Sequence, residues 1–164
     1  MIEPAIALVE TNSVATGILA GDAMVKKAAV QILEARSICP GKYMVLICGE
    51  VAPVREAFDV GVATAADTLV DQLLLPNVHP SVFPALMSAT PPREDEALGI
   101  LETVTAAICI VAADAAVKAS DVQLLEIRLA NGLGGKSFVL LEGAVADVEA
   151  AVAAGAELVK EEGL

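Results

Sequence analysis

The chain has 164 residues, a formal net charge of −12, and a hydrophobic content of 56% in a count that omits glycine. This length allows one ordinary domain or two small ones. The apolar share exceeds the roughly 45–50% of globular chains, so we expect surface buried against other chains, that is, an oligomer. The negative charge repels phosphate backbones and anionic lipid surfaces, which excludes nucleic acid and membrane surfaces as partners.

The N-terminal segment and the cysteine count predict a cytoplasmic protein. The N-terminal segment carries Glu3 where a signal peptide carries basic residues. Three cysteines, an odd number without a CxxC pair, fit a reducing compartment better than a disulfide framework. Residues 72–92 contain no Asp, Glu, Lys or Arg, but five prolines interrupt them, so we expect no membrane span.

In chain order, residues 5–10 form a short apolar run that predicts a strand, and a segment of small residues ending near Lys26 predicts a helix. The runs VQILEARS and YMVLICG predict a hairpin, and the residues after Gly49 predict a second helix with Pro53 in its opening turn. Residues 73–75 predict one more strand. The run SATPPRED is a predicted linker.

The same elements recur after the linker, because the sequence contains an internal repeat. Residues 5–36 align without gaps on residues 97–128, a spacing of 92 that matches Glu10 with Glu102 and Lys26 with Lys118. After the hairpin the spacing becomes 94, as between Gly41 and Gly135. The second copy therefore has two extra residues in the hairpin loop, which in the first copy contains Cys39.

The first hairpin loop, Ser37-Ile38-Cys39-Pro40-Gly41-Lys42, is predicted to hold Cys39 at an exposed tip. Proline fixes its own φ, and glycine adopts backbone angles closed to other residues. Metal clusters use two to four thiolates, so if Cys39 binds a metal, other chains must supply further ligands. Cys48 and Cys109 lie in apolar runs and are predicted to be core residues.

Several motifs together resemble the shell proteins of bacterial microcompartments. They are the two DAxVK helices, the loops ICPGK and GLGGK, and the segment NVHPSV. Two copies in tandem resemble the trimeric class, and the loops are similar to those of its iron–sulfur-binding, propanediol-utilisation members. The resemblance implies an α+β fold of two ferredoxin-like-related shell domains, residues 1–90 and 96–164, three chains forming a pseudohexamer with a central pore. It also implies a structural role in a microcompartment shell rather than enzymatic activity.

The resemblance assigns roles to particular residues. Lys26, Lys118, Asn77 and His79 match the disc edge that contacts neighbouring shell proteins in a sheet, although many single-domain relatives have arginine where this chain has Asn77. Two loops match those that line the pore. They comprise Ser37, Ile38, Cys39, Pro40 and Gly41 in the first copy, and Asn131, Gly132, Leu133, Gly134 and Gly135 in the second.

In the iron–sulfur-binding relatives, the cysteine at the position of Cys39 binds a [4Fe–4S] cluster shared by three chains. A threefold axis would bring three Cys39 thiolates together and leave the fourth iron without a protein thiolate. The predicted function is then a shell tile whose cluster transfers electrons or senses redox state across the shell, with encapsulated enzymes or redox proteins as further partners.

Four alternatives remain open from the sequence. The tile could bind no cluster and pass metabolites through its pore, or the tandem repeat could be a small-molecule sensor that forms dimers or tetramers. The histidine could be a structural turn residue, and the lysines could be solvated helix ends. No grouping of nucleophile, base and carboxylate indicates an active site.

Overall fold

The repeat seen in the sequence folds into two similar α+β units. The computed structural model describes residues 4–93 and 96–161, and the chain divides into units of residues 1–78 and 79–164. The predicted domains, 1–90 and 96–164, differ in assigning residues 79–90 to the first copy, and those domain limits stay a prediction. Two residues of the predicted linker, Glu94 and Asp95, lie outside the described residues.

The first unit is a four-stranded antiparallel sheet in the order β2-β3-β1-β4. Two longer helices cover one face of the sheet, and a 3₁₀ turn precedes the last strand. In chain order the elements are β1 Pro4–Thr11, α1 Val14–Lys27, β2 Gln31–Ile38, β3 Lys42–Glu50, α2 Val51–Ala65, the turn Ala66–Thr68 and β4 Leu69–Leu75. The predicted strand at residues 73–75 is confirmed and begins four residues earlier, at Leu69.

Alternating residues of the central strands explain the core of this unit, since successive side chains point to opposite faces of a sheet. One face packs against the helices through a cluster of small and branched residues: Ala5, Ala7, Val9, Met24, Val45, Ile47, Val54, Ala57 and Ala65. The opposite face, with Ile6, Leu8, Met44 and Leu46, is buried as well. The central strands are therefore covered on both sides.

The second unit repeats this order after one short helix that the sequence analysis missed. Its three-stranded antiparallel sheet has the order β5-β7-β6 within the residues described. In chain order the elements are α3 Val82–Leu86, β5 Ala97–Thr103, α4 Ala106–Ala119, β6 Gln123–Arg128, β7 Ser137–Gly143 and α5 Val145–Glu161. Pro84 lies in the first turn of α3, where proline is tolerated, but the five prolines of residues 72–92 predicted a broken segment instead.

Matching hydrogen bonds begin the first long helix of each unit. The Ser13 hydroxyl accepts from the Thr16 backbone N–H at 3.3 Å, and the Thr105 hydroxyl accepts from the Ile108 N–H at 3.3 Å. Serine and threonine are favoured at this position because they satisfy an N–H that lacks a partner in the first turn. The same local chemistry therefore starts both helices.

A helix needs about 20 mostly apolar residues to span a lipid bilayer. None of the helices among residues 4–93 and 96–161 has the length and apolar content needed to cross a membrane.

Candidate functional site

The hairpin of β2 and β3 presents the Cys39 loop. Ser37 pairs with Tyr43 and Ile38 with Lys42, so the connection consists of Cys39, Pro40 and Gly41 alone. The Cys39–Pro40 peptide bond is cis. Gly41 has φ +68°, a left-handed conformation that favours glycine, and a Cβ built there would meet nothing within 4 Å. The loop therefore projects into open space, as the sequence predicted.

Residues on both sides of the loop fix it to the sheet. Ile38 is buried at the end of β2, and the Lys42 ammonium forms an ion pair with the Glu10 carboxylate. Glu10 is almost completely buried, so its charge needs this partner. The sequence analysis missed this contact, although the recurrence of Glu10 and Lys42 as Glu102 and Lys136 was the signal that could have revealed it.

The three cysteines differ in exposure. Cys39 is half-buried, whereas Cys48 and Cys109 are buried, as predicted for core residues. Burial raises the pKa of Cys109 from 9.0 to about 12, against a lesser lowering effect of a hydrogen bond with Thr103, and burial also raises the pKa of Cys48. A thiol with a raised pKa is a poor nucleophile and metal ligand, because both roles need the thiolate. Cys39 is thus the accessible thiol.

The second hairpin loop lies between β6 and β7, at the position equivalent to the Cys39 loop. Residues 131–134 are exposed, while Ala130 and Gly135 on either side are buried. The Ala130 N–H donates to the Ser137 hydroxyl at 3.0 Å, and Lys136 forms an ion pair with Glu102 at 2.7 Å. This loop offers backbone groups and the side chains of Asn131 and Leu133 but no thiol. Its predicted place in the pore, like that of the Cys39 loop, stays a prediction.

The residues predicted for the disc edge form two similar ion pairs. Lys26 contacts Asp22 at 2.6 Å, and Lys118 contacts Asp114 at 2.6 Å. Asp114 is buried and also accepts a hydrogen bond from the His79 backbone N–H at 2.7 Å. His79 therefore lies beside Lys118 in the second unit.

The side chain of His79 and the backbone of Asn77 both have features of a turn. The His79 imidazole Nδ1 contacts the Ser81 hydroxyl at 2.7 Å. Asn77 has a positive φ of 55°, a conformation that asparagine tolerates better than most residues. The His79 contact and the Asn77 backbone angle are consistent with the alternative raised for His79, a structural turn residue. The contribution of all four residues to a sheet of discs remains a prediction.

The described residues of one chain do not by themselves assemble a complete metal site. Among residues 4–93 and 96–161, no group of three or more His, Cys, Asp or Glu side chains lies in an arrangement that could hold a metal ion. The loop offers one thiol per chain, so the donor set suits a metal group only where several copies meet.

Comparison with known proteins identifies the family. The BMC domain matches residues 5–78 and again residues 97–164. The chain is 45% identical, over 98% of its length and 87% of the relative, to the bacterial microcompartment shell protein PduT of Citrobacter freundii.

Solved structures agree with the sequence relatives. A microcompartment protein of Desulfitobacterium hafniense is 53% identical, covers 98% of this chain with 89% of its own length, and superposes with a TM-score of 0.93. A fused permuted hexameric shell protein of the RMM microcompartment has a TM-score of 0.69 at 22% identity over 96% of this chain and 84% of its own, which shows the fold alone. The chain therefore belongs to the BMC-domain family of bacterial microcompartment shell proteins, as a tandem-domain structural component rather than an enzyme.

Proposed function

We propose that three copies of this chain form a shell tile in which three Cys39 thiolates hold one [4Fe–4S] cluster on the threefold axis. The observation that carries this proposal is the position of Cys39. It is the accessible thiol of the chain, in a three-residue hairpin connection whose other two residues, Pro40 and Gly41, are exposed. Cysteine thiolates are the usual ligands of iron–sulfur clusters.

The residues around Cys39 fit such a cluster. No large side chain follows the thiol in the loop, because the next residues are Pro40 and Gly41, and both are exposed. The buried Ile38 and the Lys42–Glu10 ion pair anchor both ends of the loop, so the thiol is held with little conformational freedom. A ligand that is already in place loses less entropy on binding. Backbone N–H groups at the tip could donate to cluster sulfurs and influence the reduction potential.

A bound cluster would supply one-electron redox chemistry at the centre of the tile. The protein contributes the thiolates, an orienting loop, and a position shared by chains that no monomer can provide. We infer that such a tile transfers electrons across the shell or senses redox state, with encapsulated enzymes or redox proteins as its partners. A cluster on the axis would also obstruct the pore, so metabolites would have to cross elsewhere.

The experiment compares Cys39→Ser with Cys48→Ala, a control that also leaves two cysteines per chain. Both variants and the wild-type protein are purified anaerobically and reconstituted with iron and sulfide. We expect the wild type and Cys48→Ala to bind iron, develop colour and show an iron–sulfur signal in electron paramagnetic resonance, whereas Cys39→Ser does none of these and keeps the mass of the wild-type assembly. Iron retained by Cys39→Ser would overturn the proposal. A wild-type assembly without iron would favour a cluster-free pore for metabolites.

A further inference from the structure

Glu10 places a charged side chain among apolar ones. Side chains two residues apart on a strand lie on the same face of the sheet, and Ile6 and Leu8, which precede Glu10 on its face, are completely buried. The residue paired with Glu10 on β3 is Met44, which is buried as well. The Glu10 side chain is only 1% exposed. An apolar residue at this position would simply extend the core.

The Lys42 ammonium compensates the Glu10 charge from β3. It forms an ion pair with the carboxylate, and the Lys42 side chain is only 21% exposed. Taking two charges out of water costs free energy that their attraction often fails to recover, so a buried ion pair is weak evidence for stability. Such a pair does fix a geometry, because separating the two charges inside the protein would leave each without a partner. Here the geometry is that of the Cys39 loop, since Lys42 directly follows it.

The second repeat has the same two residues but does not bury them. Glu102 and Lys136 occupy the matching positions, with 2.7 Å between carboxylate and ammonium. Their side chains are 63% and 54% exposed in the folded chain. Exposed ion pairs contribute little and constrain their side chains weakly. The buried form of the pair therefore occurs in the repeat whose hairpin loop carries the cysteine.

We propose that Glu10 and Lys42 are positioning residues for Cys39. The buried carboxylate holds the lysine, and with it the base of the loop, so that the thiol lies where a cluster shared by three chains needs it. This inference rests on the proposed function and adds to it what keeps the ligand in place. Residues that orient a metal ligand without touching the metal typically change metal affinity by about 10–100-fold when they are replaced.

The competing explanation is that the ion pair only stabilises the fold. The double variant Glu10→Leu with Lys42→Met separates the two explanations, because it replaces both charges by apolar side chains of similar size. If the pair serves stability, the urea midpoint of unfolding falls. If the pair serves positioning, we expect a midpoint no more than about 0.5 M below that of the wild type, together with a less constrained loop.

The experiment adds two measurements to the urea titration. The first is amide hydrogen exchange of residues 37–43 in the metal-free protein, which we expect to be at least about 10-fold faster in the double variant. The second is the rate at which an iron chelator removes iron from the anaerobically reconstituted protein. We expect this rate to rise by about 10–100-fold in the double variant.

Two controls use the same chain. Glu102→Leu with Lys136→Met makes the same change in the second repeat, and it should alter neither the exchange of residues 37–43 nor the loss of iron. Lys42→Arg keeps a cation beside the buried carboxylate and should retain iron like the wild type. A loss of iron in Lys42→Arg as fast as in the first double variant would overturn the inference, and so would the same loss in the second.

Other outcomes also decide against the pair as a positioning device. One is a lower urea midpoint in Glu10→Leu with Lys42→Met while residues 37–43 exchange as in the wild type. Another is iron held by this variant as tightly as by the wild type. Exchange is measured without metal, so a wild-type chain that binds no iron would sink the cluster proposal alone, and exchange would still decide whether the pair fixes the loop.

Discussion

Selective reactivity of Cys39 is a direct consequence of how the fold distributes its three thiols. The perturbation is treatment of the native, metal-free protein with an aromatic disulfide reagent at pH 8. Cys39 is half-buried at a hairpin tip, while Cys48 and Cys109 lie in the core. Because the thiolate is the reacting species, both burial and a raised pKa slow the reaction.

The difference for Cys109 can be worked out from its pKa. Burial raises this pKa from 9.0 to about 12, which reduces the thiolate fraction at pH 8 by about 1000-fold. The side chain is also 0% exposed, so the reagent reaches it only after local unfolding. We therefore expect Cys109 to react more than about 1000-fold more slowly than an exposed thiol of ordinary pKa.

The assay counts the thiols released per chain over time, first in buffer and then in denaturant. We expect one fast thiol per native chain and the other two only after unfolding. The variant Cys39→Ser should show no fast phase, and Cys48→Ala should keep it. Two or more fast thiols in the wild type, or one in Cys39→Ser, would refute the assignment of Cys39 as the accessible thiol.

Three further predictions concern stability. Asp114→Asn removes the buried charge paired with Lys118 and should lower the free energy of unfolding, measured by urea titration, by about 1–3 kcal/mol. Asp22→Asn, at the exposed matching position, should lower it by less than about 1 kcal/mol, and equal losses in the two variants would contradict this. In Gly61→Ala the new Cβ would lie 2.7 Å from the Met24 side chain, so we expect the free energy of unfolding to fall by about 1–2 kcal/mol. If the losses of Gly61→Ala and Met24→Ala simply add in the double variant, the two residues do not clash. The raised pKa of Cys109 contributes stability that is fully present below about pH 9 and is lost as the pH rises towards 12. The free energy of unfolding of the wild type should therefore fall by about 1.4 kcal/mol between pH 8 and pH 10 on account of this thiol, and Cys109→Ala should abolish that fall. The same dependence of stability on pH in the variant would count against this.

Much of the fold could be predicted from the sequence because the repeat supplied two readings of each element. Val14 and Ala106, which are 92 residues apart, begin matching helices, and both helices end within one residue of the predicted Lys26 and Lys118. The helix α3 was not predicted, since five residues containing a proline give no periodicity. Its burial depends on long-range packing that local sequence does not encode.

The candidate site was predicted in part for a similar reason. The turn residues Pro40 and Gly41 predicted that Cys39 lies at a hairpin tip. They did not predict the Lys42–Glu10 ion pair that holds the loop to the sheet, because Glu10 and Lys42 are 32 residues apart in the sequence. The sequence also could not indicate that the matched residues Ile18 and Ile110 differ in exposure. Both helices have an isoleucine at this position, and whether it is covered is decided by long-range packing in the folded chain.

The ratio of iron to protein in the anaerobically reconstituted assembly tests the central claim most directly. One cluster shared by three Cys39 thiolates predicts about four iron atoms and four sulfides for every three chains, in a particle with the mass of a trimer. A full cluster in each chain, or a trimer that binds no iron at all, would contradict it.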